Sequence, residues 1–364
     1  MDINISQKSP YTIRNNATPQ QTGFWAKLKE QNGWNALGFH IEILSDGKIQ
    51  SSADMLVLVT YIASDLTMAY VPYIPFSEVH TIHTGNILEE LTETIHPYLP
   101  DNVLFFRYDV PWESPWTQDH DRYDNSGNWL GNPEPHIREL RMNFGTQNHA
   151  LRKAVSDALP TNTIFIDLNK STQELIYNMK SKTRYNIRLS QKKGVDVRIA
   201  ERTELDKWYE IYAETTQRNH IHADDYKFFD HAIEAQNSDK ETDLYMLIAE
   251  KNKTPLAGMF LTIVNEQATY LYGASSSRNR NLMGTYQLQW EAMQLAKQCG
   301  CTRYDMFGVS PSPDTSHPMY GLYRFKSGFG GHLFHRQGCW DYVFDEAKYN
   351  IYRATEAQSV GYHN

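Results

Sequence analysis

The chain has 364 residues, of which 40% are apolar and 21% charged, with a formal net charge of −8. That is the make-up of a globular protein with about two domains of ordinary size, and it excludes a protein that coats nucleic acid, since such binding needs Lys and Arg to neutralise phosphates. No apolar run approaches the ~20 residues of a membrane span, and Met1-Asp-Ile-Asn-Ile lacks a basic region leading into an apolar core, so a cytoplasmic protein is expected.

In chain order, the first half reads as a helix at 22–31, strands at 37–44, 55–63 and 68–72, a helix at 87–98 and a strand at 103–110. The stretch 163–168 is a strand, and 172–193 one or two helices that stop at Gly194 before a strand at 195–199. Thr203 offers a cap to an apolar-periodic helix through Trp208, Ile211 and Tyr212. Strands at 243–250, 256–264 and 267–276 form a meander with turns at 252–255 and 265–266, followed by a helix at 285–298. Cys301-Thr-Arg-Tyr-Asp-Met-Phe-Gly-Val309 alternates like a strand, Ser310-Pro-Ser-Pro-Asp314 breaks the chain, and a helical turn at 319–324 precedes strand-like residues 334–344.

Three cysteines, Cys299, Cys301 and Cys339, make no disulfide framework, and Cys299-Gly-Cys301 has no second pair. Reduced, half-buried thiols and no metal are expected, and the histidines of Asn219-His-Ile-His222 read as surface or packing residues. One basic cluster stands out: Lys180, Lys182, Arg184, Arg188, Lys192, Lys193, Arg198 and Arg202, opposed by Asp196 and Glu201. The most informative segment is Tyr320-Gly-Leu-Tyr-Arg-Phe-Lys-Ser-Gly-Phe-Gly-Gly331, which sets Lys326 among aromatics and glycines past the carboxyl end of a strand. Read alone, Lys326 is better taken as a surface lysine beside a tight turn, and a family resemblance shifts that reading.

Four motifs in order carry a resemblance: Phe24-Trp-Ala-Lys-Leu-Lys-Glu30, Phe105-Phe-Arg-Tyr-Asp109, Lys182-Thr-Arg-Tyr-Asn-Ile-Arg-Leu-Ser-Gln-Lys-Lys-Gly-Val195 and the Lys326 segment. Over most of residues 20–340 the chain resembles the Fem family of non-ribosomal peptidyl aminoacyltransferases, although 111–148 departs from that pattern. The resemblance implies an α/β (α+β) fold of two Gcn5-related N-acetyltransferase-like units, each a mixed, mainly antiparallel sheet flanked by helices. It places the first unit at 1–145 plus 332–364 and the second at 146–331. The chain has no sustained heptad run, and so resembles the compact members without a helical arm.

The implied reaction moves Gly, Ala or Ser from aminoacyl-tRNA to a side-chain amine of a peptidoglycan precursor, nucleotide-linked or lipid-linked, with no cofactor. A lipid-linked acceptor implies peripheral contact with a membrane. An ester is already activated, so alignment of an amine with it removes ~7–11 kcal/mol of barrier, and no nucleophilic triad is needed. By the resemblance Lys326 is the cation at the oxyanion or departing ribose oxygen, the Phe325 carbonyl receives the amine's charge, and Asp109 orients the amine or takes its proton. Asp109 is also readable as a turn cap before Pro111. Lys182, Arg184 and Arg188 are candidates for the precursor's diphosphate, with Lys27 or Lys29 beside Trp25 adding a contact and Tyr108 belonging to the acceptor-binding set. A solvated helix face is the other reading of the basic run. Tyr270 and Tyr272, two apart on a strand, are expected on one face, lining the peptide groove or packing in the core.

Two other functions fit the sequence. An acetyl-CoA-dependent acetyltransferase would share the fold, but Arg278-Asn-Arg-Asn-Leu-Met-Gly-Thr285 carries a single glycine where the cofactor's pyrophosphate loop would be. A non-catalytic scaffold could stack glycans on Trp112, Trp116, Tyr123 and Trp129, which are otherwise a loop burying its own aromatics.

Overall fold

The computed structural model describes residues 2–14, 16–76 and 84–358. The chain divides into two compact units, one of Met1–Asn16, Gln20–Thr161 and His335–Asn364, the other of Ala17–Pro19 and Asn162–Phe334.

The first unit contains β1 (Asp2–Lys8), α1 (Gly23–Gln31), β2 (Asn35–Ser45), β3 (Lys48–Ala63), β4 (Leu66–Val71), α2 (Thr84–Ile95), β5 (Val103–Glu113), α3 (Pro135–Met142) and β6 (Leu151–Lys153). Period-two alternation sends Phe39, Ile41 and Ile43 of β2 and Met55, Val57 and Val59 of β3 to one face, where Ile87, Leu88, Leu91 and Ile95 of α2 cover them. β1 to β4 pair antiparallel in sequence order, and β4 pairs parallel with β5.

The second unit contains β7 (Asn162–Asp167), α4 (Thr172–Asn178), α5 (Ser181–Lys192), β8 (Asp196–Ile199), α6 (Leu205–Asn219), α7 (Tyr226–Gln236), β9 (Thr242–Lys251), β10 (Thr254–Val264), β11 (Gln267–Ser275), α8 (Gly284–Gln298), β12 (Arg303–Asp305) and α9 (Tyr320–Lys326). Its strands run in the order β7-β12-β11-β10-β9-β8, antiparallel except for β11 with β12. The aliphatic residues Leu288, Ala292, Met293 and Ala296 of α8 join Leu247, Met259, Leu261 and Ala268 in one core. A separate aromatic cluster forms around Trp208 of α6, with Phe229 of α7 4.3 Å and Phe260 of β10 4.7 Å from its ring.

The chain closes with β13 (His332–Val343) and α10 (Glu346–Gln358). β13 pairs antiparallel with β5 and with β6. Arg107 of β5 locks this pairing: its Nε donates to Asp341 Oδ1 at 2.7 Å and its guanidinium to Glu356 Oε1 of α10 at 2.7 Å, while the Tyr349 hydroxyl donates to Asp341 Oδ2 at 2.7 Å.

The architecture is mixed α/β with mainly antiparallel sheets flanked by helices, as the sequence leads one to expect. Two of the boundaries that differ bear on the site. β5 continues through Pro111 to Glu113, so Asp109 lies within a strand, paired with Cys339, and neither ends it nor caps a turn. The proline, which has no N–H to give a ladder, sits where the register with β13 slips between Arg336 and Gly338. The strand expected over 301–309 shrinks to β12, because Phe307 turns to φ +58°.

Candidate active site

Lys326 is set by three close backbone approaches within the second unit. A Cβ on Gly328 would lie 2.3 Å from Thr183 Oγ1, one on Gly331 2.5 Å from the Phe165 carbonyl, and one on Gly330, itself at φ +84°, 2.7 Å from the Asn178 carbonyl. Only glycines let the turn after α9 sit this close to β7 and the α4–α5 junction. The Gly328 carbonyl accepts from Lys180 N at 2.9 Å, and Lys180 Nζ donates to Ser327 Oγ at 3.0 Å.

Held there, Lys326 is 4% exposed. Its ammonium donates to the carbonyls of Phe307 at 3.2 Å and Gly308 at 2.9 Å, and lies 5.0 Å from the centre of the Tyr270 ring. Burial pushes its pKa down to about 7, against the charge of Asp305, which raises it. An ammonium with little water around it is a strong partner for developing negative charge. The ring of Phe325, one residue before it, packs edge-on against Tyr286 and Phe329, and its carbonyl already accepts from the Ser327 N–H at the end of α9. A carbonyl oxygen has a second lone pair.

Tyr270 and Tyr272 do not share a face. A bulge places Phe260 opposite Tyr272 and Leu261 opposite Tyr270, leaving Leu271 as the extra residue. One additional residue inverts the alternation, so Tyr270 joins Lys326 while Tyr272 joins Tyr212, Phe228 and Phe229 in the aromatic cluster. Burial pushes the Tyr270 phenol up to about 12.

On α5, Thr183, Asn186, Ile187 and Ser190 face inward, leaving Lys182, Tyr185, Arg188 and Lys192 on the exposed face. Arg184 differs from its neighbours: its guanidinium donates to the carbonyls of Tyr177, at 3.0 Å, and Met179, and so caps the end of α4. That role competes with the phosphate contact expected of it. Tyr177 and Tyr185 are exposed aromatics beside this stripe, 82% and 62% open.

In the first unit, Asp109 is fully buried. Its Oδ2 accepts from Leu159 N at 3.1 Å and Tyr70 Oη at 3.3 Å, while Oδ1 has no hydrogen-bond partner. Burial raises its pKa to about 7 and the charge of Asp157 adds to the rise, opposed by Arg336, a bond from Cys339 and Lys153. An orphaned buried carboxylate oxygen is poised to take a proton. Tyr70 connects Asp109 to the α1 residues: its ring lies 6.3 Å from Trp34, and Lys29 Nζ stands 5.4 Å from Trp34 and 5.2 Å from Trp25. Lys27 instead lies over Tyr11, at 5.7 Å. The geometry therefore groups Lys29, Trp25 and Asp109 and leaves Lys27 apart.

Tyr108 is a core residue. Alternation along β5 turns it away from Asp109, its exposure is 0%, and its hydroxyl meets Thr92 Oγ1 at 2.7 Å. Among the tryptophans of 108–129, Trp112 and Trp129 are buried, the first donating to the Phe76 carbonyl at 2.9 Å and the second packing at a tilt with its ring 3.9 Å from that of His335, so they do not offer a glycan platform. Sequence reading missed Tyr70 and Trp34, whose only signal is their aromatic character, and Thr163 and Asp305, which flank the Lys326 cradle.

The FemAB family model matches residues 11–250 and 231–357 of the chain. The lipid II:glycine glycyltransferase of Staphylococcus epidermidis (strain ATCC 12228 / FDA PCI 1200) is 23% identical over 251 residues, covering 53% of this chain and 60% of that protein. Its counterpart in Staphylococcus aureus (strain USA300) is 23% identical over 256 residues, covering 53% and 61%. The chain thus spans about 60% of the length of these curated relatives. A crystal structure of FemX superposes with a TM-score of 0.73 at 17% identity, covering 96% of this chain and all of that one. A tandem GNAT protein from the clavulanic acid biosynthesis pathway superposes with a TM-score of 0.50 at 9% identity, covering 93% and 98%. At such identities these two establish likeness of fold.

Proposed function

This chain belongs to the FemAB family, and from that footing we propose that it is an aminoacyltransferase acting on a peptidoglycan precursor, with a small amino acid carried in as an aminoacyl-tRNA ester. The observation that supports this most is the Lys326 ammonium, buried against two carbonyls and a phenol ring. In the reaction the acceptor amine forms a C–N bond to the ester carbonyl, the C–O bond to the ribose breaks, and the proton lost by the amine is balanced by one gained at the ribose oxygen, which leaves as a hydroxyl. Lys326 stabilises the oxyanion and then the departing ribose oxygen. Asp109, with an unpartnered oxygen and a pKa near neutrality, is the residue to receive the proton.

The relatives are named for action on lipid II, which favours a lipid-linked acceptor. Among the described residues no helix is long and apolar enough to cross a membrane, so contact with such a precursor would be peripheral. Lys182 and Arg188 on the open face of α5 suit phosphate oxygens, with Lys29 as a further cation. The single glycine of 278–285 argues against the acetyl-CoA alternative: Gly284 is accounted for by Leu256, whose Cβ would lie 2.9 Å from an added Cβ.

The test is to incubate the chain with separately charged tRNAs and either nucleotide-linked or lipid-linked precursor, and to weigh the product. Gain of one amino-acid residue on the precursor supports the reading. Gain of an acetyl group from acetyl-CoA, or no gain with any charged tRNA, rejects it.

A further inference from the structure

At the end of β12 the chain does something costly for a bulky residue: Phe307 takes up a left-handed conformation, φ +58°. Asp305 holds it there. The carboxylate Oδ1 accepts from Phe307 N at 2.7 Å, closing a turn two residues on, and the same oxygen accepts from the Thr163 hydroxyl of β7. Asp305 is 1% exposed and Thr163 fully buried, so this anchor is inside the protein. On either side, Met306 N donates to the Ile164 carbonyl at 2.9 Å and Val309 N to the Asn162 carbonyl at 3.1 Å. The turn thereby aims the Phe307 and Gly308 carbonyls at one point, and that point is occupied by Lys326 Nζ.

We propose that Asp305, anchored by Thr163, is the positioning residue of the site: its buried carboxylate shapes the carbonyl cradle in which Lys326 sits. The groups around Lys326 agree. β11 presents the Tyr270 phenol, held neutral near pH 7 by burial. β12 presents Asp305 and Tyr304, the latter fully buried, raised well above its ordinary pKa and donating to Gln289 Oε1 of α8 at 2.8 Å. Burial pushes the ammonium toward losing its proton, and the Asp305 charge is what opposes this. The catalytic consequence rests on the function proposed above; the positioning role does not.

The experiment is a pH titration of the Lys326 side chain by NMR on the full chain labelled in lysine Cε, its resonance identified by Lys326→Arg. Asp305→Asn keeps an oxygen for Phe307 and Thr163 and removes the charge, whereas Asp305→Ala removes both. The expected result is a Lys326 midpoint moved to lower pH in Asp305→Asn, with a melting temperature near wild type. Transfer at pH 7 then falls by up to about tenfold for each unit of displacement. Thr163→Val moves the midpoint less, through a loosened carboxylate. An unmoved midpoint in Asp305→Asn overturns the proposal, whether or not Asp305→Ala folds. Should the wild-type chain transfer nothing, the functional reading falls, and the titration still decides the role of Asp305.

Discussion

Single side chains with perturbed acidity give the most direct tests. Lys326→Met removes the cation while keeping an apolar stem, so transfer should fall about a hundredfold or more with precursor affinity little changed, as measured by turnover and by calorimetric titration. The pH profile should be bell-shaped around neutrality. Asp109 accepts a proton only when ionised, above about 7, and Lys326 stabilises an oxyanion only when protonated, below about 7. An activity that climbs steadily to pH 9 would remove Lys326 from the cation role. On α5 the structure separates two arginines that the sequence treats alike. Arg188→Ala should weaken precursor binding, more so at low salt, because the side chain stands on the open face. Arg184→Ala should instead lower stability by about 1 kcal/mol, read from chemical denaturation, since it uncaps α4.

For whole elements, legibility followed the length and regularity of the apolar pattern. The meander β9 to β11 and helix α8 were readable because alternation and helical spacing persist over nine or more residues. β1 was not: Asp2–Lys8 is mostly polar and pairs only with β2, so its side chains carry little of the core signal. α7 has an Asp225 cap that accepts from Phe228 N at 2.8 Å, a signal present in the sequence and overlooked. The bulge at Leu271 could not be read, since Tyr-Leu-Tyr looks the same with or without an extra residue, and only the pairing with β10 reveals it. The Lys326 segment was legible as a place of close backbone approach because of its glycines; what they approach was not. Gly330→Ala tests this at the level of the turn: the added methyl meets the Asn178 carbonyl at a positive φ, with an expected cost of about 1–3 kcal/mol. Thermal melting should fall, and amide exchange at Lys180, whose N–H is bonded to Gly328, should speed up.

At the scale of the whole molecule, the first unit depends on ionisable groups kept away from water. Asp109 is held well above an ordinary carboxylate, so the folded state binds its proton more tightly than the unfolded one, and this group's contribution to stability falls as pH rises from about 4 to about 7. Asp109→Asn should therefore stabilise the protein more at pH 8 than at pH 5, measured by melting at both, while abolishing proton transfer; a pH-independent effect would argue that the carboxyl is not buried as described. Arg107 is a contrasting case, since its bonds to Asp341 and Glu356 are complete. Arg107→Ala should cost about 3–5 kcal/mol, because the buried Asp341 and the half-buried Glu356 lose their cation.

The pairing of β5 with β13 joins residues more than two hundred positions apart, such as Asp109 and Cys339. On a ribosome, the run from Asn162 to Phe334 emerges as one continuous piece and can settle while synthesis continues. The earlier portion must wait, its β5 edge open, until β13 leaves the exit tunnel. The part made first would then be the part finished last, and a nascent chain stalled before His332 should be sticky and open to protease within the stretch that ends at Thr161.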